Sequence, residues 1–456
     1  MTTLESLCPV CLKKIPARRR EQDDLVAMVK TCPEHGEFQA KIWRGPPAFS
    51  TWKRPKTPTV PPFLHKETDR GCPFDCGLCP EHRQRSCAIV LEVARGCNLE
   101  CPVCFADARK SRRPEPTLST IEGWYESARR AAGDCNIQLS GGEPTIRDDL
   151  PEIVRLGREH GFSFIQVNTN GLRPARDDDY VKDLKDAGLS SVFLQFDGTT
   201  DRVYEIIRGK KLLAEKMKAI ETFGRHGLGV VLVPTLIPGI NDGEVGNILR
   251  TAVGLSPVVR AVHFQPFSNF GRTPFAPTDE NRLTLPELLR LIEGQTGGDF
   301  RVEHFHPPGC ENALCSFSAT YLVEPGGRVR ALAPPFNSCR REPEPAEQGA
   351  LRAISRVAGQ WSAPSPDFAR ESPSPASPPS SPCCAPGSGL VTLDDFLARA
   401  RTHTLSVSAM AFQDAWTLDL ERLRDCCIHV MAHNGDLIPF CAYNLTAADG
   451  RRLYRR

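Results

Sequence analysis

The sequence contains no apolar run approaching the roughly 18 residues that span a bilayer as a helix, and its first residues, MTTLESLCPVCLKK, lack the apolar centre of a secretory signal. The expected location is therefore the cytoplasm. An excess of one charge is missing too. Lys and Arg number 57 against 55 Asp and Glu, a formal +2, so no global field points to nucleic acid or to an anionic surface. The short basic runs RRR (18–20) and RKSRR (109–113) read as solvated faces. Aromatic residues are scarce at 7%, most of them Phe, a poor supply for hydrogen-bonded ring recognition.

Cysteine, by contrast, is plentiful: 19 in 456 residues, an odd number, many in C-x2-C or C-x3-C pairs. In a reducing compartment that spacing favours metal ligation over disulfides. The length allows two or three structural units.

Residues 1–85 read as a cysteine-rich metal-binding domain with many prolines and little long periodicity. From 86 to 300 short β-rich runs alternate with amphipathic segments. The strand candidates are AIVLEV (88–93), NIQLS (136–140), FSFIQVN (162–168), SVFLQF (191–196), GVVLVPT (229–235) and AVHFQ (261–265); helix candidates include 120–132 and 179–188. Continuous apolar strands separated by helices predict an α/β fold with a parallel sheet, and six repeats fit a partial (β/α)6 barrel, whose chemistry belongs at the C-terminal strand ends. Residues 301–340 form a further cysteine-bearing segment. A Pro/Ser-rich linker is expected over 341–389, too poor in apolar residues to pack, and Cys383 and Cys384 within it are not expected to be ligands. Residues 390–456 form a C-terminal cysteine-rich region. There Asn434-Gly435 predicts a two-residue hairpin turn, which would bring Cys427 and Cys441 together at its open end.

The stretch ARGCNLECPVCFA places Cys97, Cys101 and Cys104 directly after the first core strand. Three thiolates on one tight loop can hold three corners of a four-iron cluster, whereas ordinary electron-transfer clusters use four cysteines. A zinc knuckle completed by a distant Cys or His is the alternative. SGGEPT (140–145) follows the second strand, with Gly141 and Gly142 permitting close backbone approach to a ligand, Glu143 as an acceptor and Pro144 in the turn. Asn168 and Asn170 end the third strand and Gln195 and Asp197 the fourth, so all four are candidate cofactor or substrate contacts at one mouth; capping of the strand-to-helix turns explains each equally well.

Together the three-cysteine loop and GGEPT resemble the radical S-adenosylmethionine (SAM) superfamily. The resemblance implies a [4Fe-4S] cluster on Cys97, Cys101 and Cys104 whose fourth iron is chelated by SAM. It further implies that Glu143 receives the methionyl ammonium, and that one-electron cleavage of SAM gives a 5′-deoxyadenosyl radical able to take hydrogen from an unactivated carbon. A reductant such as flavodoxin or ferredoxin is then an expected partner.

The flanks narrow the resemblance. CPVC and CPEHG offer Cys8, Cys11 and Cys32 to a mononuclear zinc or iron, with His35 or a later cysteine as the fourth ligand. Cys72, Cys76, Cys79 and Cys87 suffice for an auxiliary cluster. Cys310, Cys315, Cys426, Cys427 and Cys441 together could hold another, with structural zinc as the alternative in either flank. The whole pattern is similar to the subfamily of class D radical SAM methylases and archaeal tetraether lipid synthases, which implies one or two auxiliary [4Fe-4S] clusters beside the radical one.

Two reactions follow from that resemblance: carbon–carbon bond formation on lipid hydrocarbon tails, or methylation of a pterin. The phenylalanine-dominated aromatics, and Pro-Phe segments that could touch a membrane surface, favour the lipid. A non-catalytic iron–sulfur electron carrier and a peptide maturase are further alternatives. An open iron and an amine-binding carboxylate serve no purpose in a carrier.

Overall fold

The computed structural model describes residues 4–64, 66–111, 114–333, 343–364 and 392–455. Its N-terminal part is more regular than its sequence suggests. Strands β1 (Leu4–Leu7), β2 (Lys14–Gln22), β3 (Leu25–Cys32) and β4 (Gly36–Arg44) form an antiparallel sheet in chain order. In β2 the alternation is carried by Ile15 and Ala17 beneath charged neighbours, which hides the period. A two-residue strand β5 (Lys56–Thr57) follows.

The core alternates strand and helix as expected: β6 (Ala88–Ala94), α1 (Leu118–Ala132), β7 (Asn136–Gly141), α2 (Leu150–Glu159), β8 (Ile165–Thr169), α3 (Asp178–Asp186), β9 (Ser191–Gln195), α4 (Asp201–Arg208), α5 (Leu213–Arg225), β10 (Gly229–Val233), β11 (Thr235–Leu236), α6 (Val245–Gly254) and β12 (Val259–Pro266). β6 to β10 and β12 pair in parallel, in sequence order. Their outer faces and the helices bury the main apolar core, including Ile137, Leu139, Val167, Leu194 and Leu232.

After α7 (Leu285–Gln295), β13 (Ser316–Val323) and β14 (Val329–Ala331), the chain adds strands to both barrel edges. Strand β15 (Glu344–Pro345) pairs with β5, and α8 (Ala346–Trp361) and α9 (Leu393–Thr402) lead to β16 (Thr404–Met410), which lies parallel to β12. Helix α10 (Leu420–Arg424) leads to β17 (Ile428–Met431), parallel to β6 on the opposite edge. Eight parallel strands thus curve around one interior. The two edges carry antiparallel neighbours, β13 against β16 and β18 (Leu437–Pro439) against β17.

Two expectations are corrected. Residues 346–361 belong to a helix, not to a linker. Ala350, Ile354 and Trp361 recur along one buried stripe of α8, a helical pattern masked by the neighbouring Pro/Ser-rich sequence; the remainder, 365–391 with Cys383 and Cys384, lies outside the described residues. The C-terminal hairpin pairs His429 with Pro439 and Met431 with Leu437, leaving a five-residue loop. A type I′ turn needs positive φ at both central residues, and of Asn434 and Gly435 only the glycine has it, at 87°. The register is therefore one residue away from the expected one, and the chain turns into α11 (Phe440–Asn444).

Helix α8 closes the barrel floor. Trp361 sits 5.7 Å from the Phe193 ring and 6.0 Å from His263. Its carbonyl oxygen would lie 2.4 Å from a Cβ at Gly229, so the strand must be bare there. Trp361→Ala is expected to cost about 3 kcal/mol, the range for removing a buried aromatic ring, read as a lower urea midpoint at unchanged slope.

Candidate functional site

The loop after β6 is held by backbone bonds rather than by its own compactness. The Cys97 N–H donates to Arg109 O at 3.1 Å, and Cys104 exchanges N–H···O bonds with Arg272 at 2.9 and 3.0 Å. The Arg272 side chain donates to Cys101 O at 2.8 Å and to Asp107 at 2.6 Å, clamping the loop from outside. Cys97, Cys101 and Cys104 all face one cavity. Burial pushes the Cys97 thiol up to about 12, with Glu143 and the other two cysteines adding to the shift. Thiolates gathered on one cavity wall need a compensating cation at neutral pH.

The glycines of GGEPT have a second task beside the one expected. A Cβ on Gly141 would lie 2.0 Å from Ala94 O and one on Gly142 2.0 Å from Gly96 O. The close approach seen is to the end of β6 and the cysteine loop, and both glycines also line the cavity. It fixes Gly142 N–H to Ala94 O at 2.7 Å and Glu143 N–H to Gly96 O at 2.9 Å, so loop and carboxylate form one unit. Pro144 opens the short 3₁₀ turn that follows. Glu143 is buried; its Oε1 accepts from Thr145 N–H and from the Thr145 and Thr169 hydroxyls, and its Oε2 from Asn170 N–H at 2.6 Å. Oε2 retains accepting capacity for one more donor.

Of the four polar strand-end residues, three are engaged within the protein. Asn170 donates to Asn98 at 2.7 Å and accepts from Leu172 N–H. Gln195 bonds Asp197 and accepts from Lys216 Nζ at 3.0 Å. Asp197 is fully buried, paired with Arg208 at 2.8 and 2.9 Å and capping Thr235 N–H. Asn168 differs: its Oδ1 is buried in the cavity wall without a hydrogen-bond partner, a position that calls for a donor from a bound molecule. Arg208, Arg272 and Lys216 were not singled out from sequence; lone basic residues in helices and loops carry no local signal of the carboxylate or carbonyl that they meet across the fold.

The other cysteines regroup. Cys8, Cys11, Cys32 and His35 have their ligand atoms within 4.8 Å of one another, with Cys11 and Cys32 sulfurs 3.9 Å apart. A tetrahedral site with Zn–S near 2.3 Å has S···S edges of about 3.8 Å. Cys72, Cys76 and Cys79 form a second group beside Arg424 and Pro439. Cys87, however, is not with them. It precedes β6 as Cys427 precedes β17; their parallel pairing sets Cys87 N–H on Cys427 O at 2.8 Å and the two sulfurs 2.8 Å apart, with Cys310 completing a buried trio. Cys315, Cys426 and Cys441 gather separately, with Arg422 donating to the Cys315 sulfur at 3.3 Å. The expected single C-terminal cluster is thus two groups, and Cys427 and Cys441 do not meet.

One cavity of about 400 Å³ runs from the three-cysteine loop down the barrel to Cys87 and Cys310. Its mouth is lined by phenylalanines, with the Phe412 and Phe440 rings 4.4 Å apart and tilted by 30°, and Phe105 beside Phe440 at 5.8 Å. Its floor is different. Asn136 is buried, donates to Ile354 O and leaves Oδ1 without a partner. Gln138 donates to Gln166, which donates to Ser191. His263 bonds Ser408 at 2.9 Å, and burial lowers it to about 4, so it is neutral at physiological pH.

The chain is similar to several known proteins. The radical SAM superfamily matches residues 91–252, and the HMPTM N-terminal zinc ribbon domain matches residues 1–44. The chain is 34% identical to the 7,8-dihydro-6-hydroxymethylpterin dimethyltransferase of Methanocaldococcus jannaschii, covering 96% of this chain and 92% of that protein. It is 28% identical to the molybdenum cofactor biosynthesis protein 1 of Bos taurus over 64% of this chain and 46% of that one. Among solved structures, Streptococcus suis SuiB bound to the precursor peptide SuiA overlaps 47% of this chain and 46% of its own, at 16% identity and a TM-score of 0.40.

Because the folded state holds His263 below its ordinary 6.5, the unfolded chain binds more protons between pH 6.5 and 4, and stability is lost as pH falls through that window. His263→Gln is expected to show a shallower decline of urea midpoint from pH 6.5 to 4 than the parent protein; parallel declines would place the titration elsewhere.

Proposed function

The chain belongs to the radical SAM superfamily, in the family of the Methanocaldococcus jannaschii pterin dimethyltransferase, and from that premise we propose that it methylates a pterin-like ring at an unactivated carbon. It is a radical SAM enzyme, working with a [4Fe-4S] cluster and SAM. The observation that carries the substrate reading is the polar barrel floor. A flat heterocycle offers donors and acceptors at its edge, and the floor presents Asn136, Gln138 and neutral His263 to such an edge, with Phe164, Phe193 and Trp361 as walls. A hydrocarbon there would leave Asn136 Oδ1 unpaired, at about 1–3 kcal/mol. The family relationship supports the same reading over the lipid one expected from phenylalanine content.

When bound, cluster and SAM supply one-electron cleavage chemistry; the chain supplies position. Cys97, Cys101 and Cys104 hold the cluster, and Arg272 and the Gly141-Gly142 contact fix its loop against Glu143. Asn168 Oδ1, without a partner in the cavity wall, and Glu143 Oε2 would accept hydrogen bonds from SAM when it is bound. The phenylalanine mouth excludes water from the reacting carbon. That apolar mouth also supports a second reading, in which the substrate bears a hydrocarbon tail that rests between Phe105, Phe412 and Phe440.

Cys97→Ala is expected to lower 5′-deoxyadenosine formation to background in reduced, anaerobic protein; intact cleavage would overturn the assignment of the cluster. Offered SAM with a perdeuterated branched glycerolipid or with a 6-hydroxymethyl pterin, the enzyme is expected to turn over with the pterin alone. Deuterium passing from the lipid into 5′-deoxyadenosine, weighed by mass spectrometry, would transfer the chain to the tail-modifying branch.

A further inference from the structure

Beside the floor that faces the ring, the cavity has a second polar wall. On β13 and β16, Ser318 stands opposite Ser408 and Thr320 opposite Ser406 in antiparallel register, and all four line the cavity. Their neighbours Ala319, Leu405 and Val407 belong to the apolar shell on the other side of the sheet. Two of the hydroxyls are taken. Ser408 bonds His263 at 2.9 Å, and Thr320 accepts from Gln360 at 3.0 Å. Among the described residues, the hydroxyls of Ser318 and Ser406 have no hydrogen-bond partner. Ser406 is only 6% exposed, so a partner for it has to come from the cavity.

Charge points to the same wall. Four charged side chains line the cavity, and the protein itself meets three of them. Glu143 accepts from Thr145, Thr169 and Asn170, Arg208 pairs with Asp197, and Glu311 accepts from Ser316 with the Lys56 ammonium beside it. The fourth, Arg356 of α8, forms neither a salt bridge nor a hydrogen bond among the described residues. The course of α8 sets its height on the wall. Gly349 packs on Gly309, whose carbonyl oxygen would lie 1.9 Å from an added Cβ, and Gln360 reaches Thr320, so α8 runs alongside β13 in the same direction. Arg356 lies about 6 Å before Gln360 along the helix, and Ser318 about 6.6 Å before Thr320 along the strand. The guanidinium and the free Ser318 hydroxyl are thus level with each other.

We propose that this wall is a subsite for a phosphate ester carried by the substrate, with Arg356 and the hydroxyls of Ser318 and Ser406 as its donors. A phosphate presents three acceptor oxygens, which match a cation and two hydroxyls converging from three elements. The Ser408–His263 bond makes the wall continuous with the ring-binding floor, so one molecule can span both. A 6-hydroxymethyl pterin has the hydroxyl that such an ester needs. For the identity of the ring the inference rests on the pterin reading; for the phosphate it does not.

The test measures equilibrium binding of a 6-hydroxymethyl pterin and of its monophosphate ester to full-length holoenzyme reconstituted anaerobically. The ester is expected to bind about tenfold more tightly, the scale of one charge-assisted hydrogen bond. Arg356→Gln is expected to abolish that advantage and Ser318→Ala to reduce it. Equal binding of the two pterins to wild type, or an advantage that survives Arg356→Gln, would overturn the subsite and leave the ring reading standing. If neither pterin binds, the ring reading fails and a second measurement decides the subsite alone: modification of Arg356 by phenylglyoxal, followed by peptide mass. Slower modification in glycerol 1-phosphate than in glycerol is the expected result, and equal rates would overturn the subsite as well.

Discussion

The barrel is open, and its two edges meet through sulfur. Strand β17 on one side and β13 with β16 on the other are not hydrogen bonded to each other. What spans the gap is a set of cysteines: Cys87 and Cys427 from one edge, Cys310 from the approach to the other. Like-charged thiolates at such distances repel unless a cation lies between them. A metal held there would add its charge to the hydrogen bonds that already tie the seam, Cys87 N–H to Cys427 O at 2.8 Å and Asn312 to Asp425 at 2.9 Å.

That seam explains what was legible in the sequence and what was not. Local chemistry could be read: the three-cysteine loop, GGEPT after the next strand, and the six strands all stand within a few residues of their expected places. Contacts set by pairing across the fold could not. Cys87 lies eight residues from Cys79 and was grouped with it, yet the parallel register of β6 with β17 carries it to Cys427. The hairpin register differs by one residue from the expected one because Asn434 keeps negative φ, and a composition averaged over its Pro/Ser-rich neighbour hides α8. The pair Gly141-Gly142 was recognised, but its reason, a backbone contact with the cysteine loop, only becomes apparent once two strands lie side by side.

The cavity combines two environments that composition reports only as an average. Phenylalanines crowd the mouth, and they dominate the aromatic content that suggested a hydrocarbon substrate. The inward positions of the strands tell a different story: Asn136, Gln138, His263 and Ser408 belong to alternate positions that face the interior, while their neighbours Ile137, Leu139, Val262 and Phe264 face the helices. Period-two alternation thus separates the polarity of the barrel's lumen from that of its shell.

The order in which the chain is made adds a constraint of its own. Cys427 stands 340 residues after Cys87, yet it shares a thiol group with Cys87 and Cys310, as Cys441 does with Cys315. The N-terminal ribbon can acquire its metal as soon as His35 has emerged. Two of the remaining groups stay incomplete until Cys427 and Cys441 have been synthesised. A metal at the seam must therefore wait for Cys427, 340 residues after Cys87, whereas the ribbon's four ligands lie within 28 residues of chain.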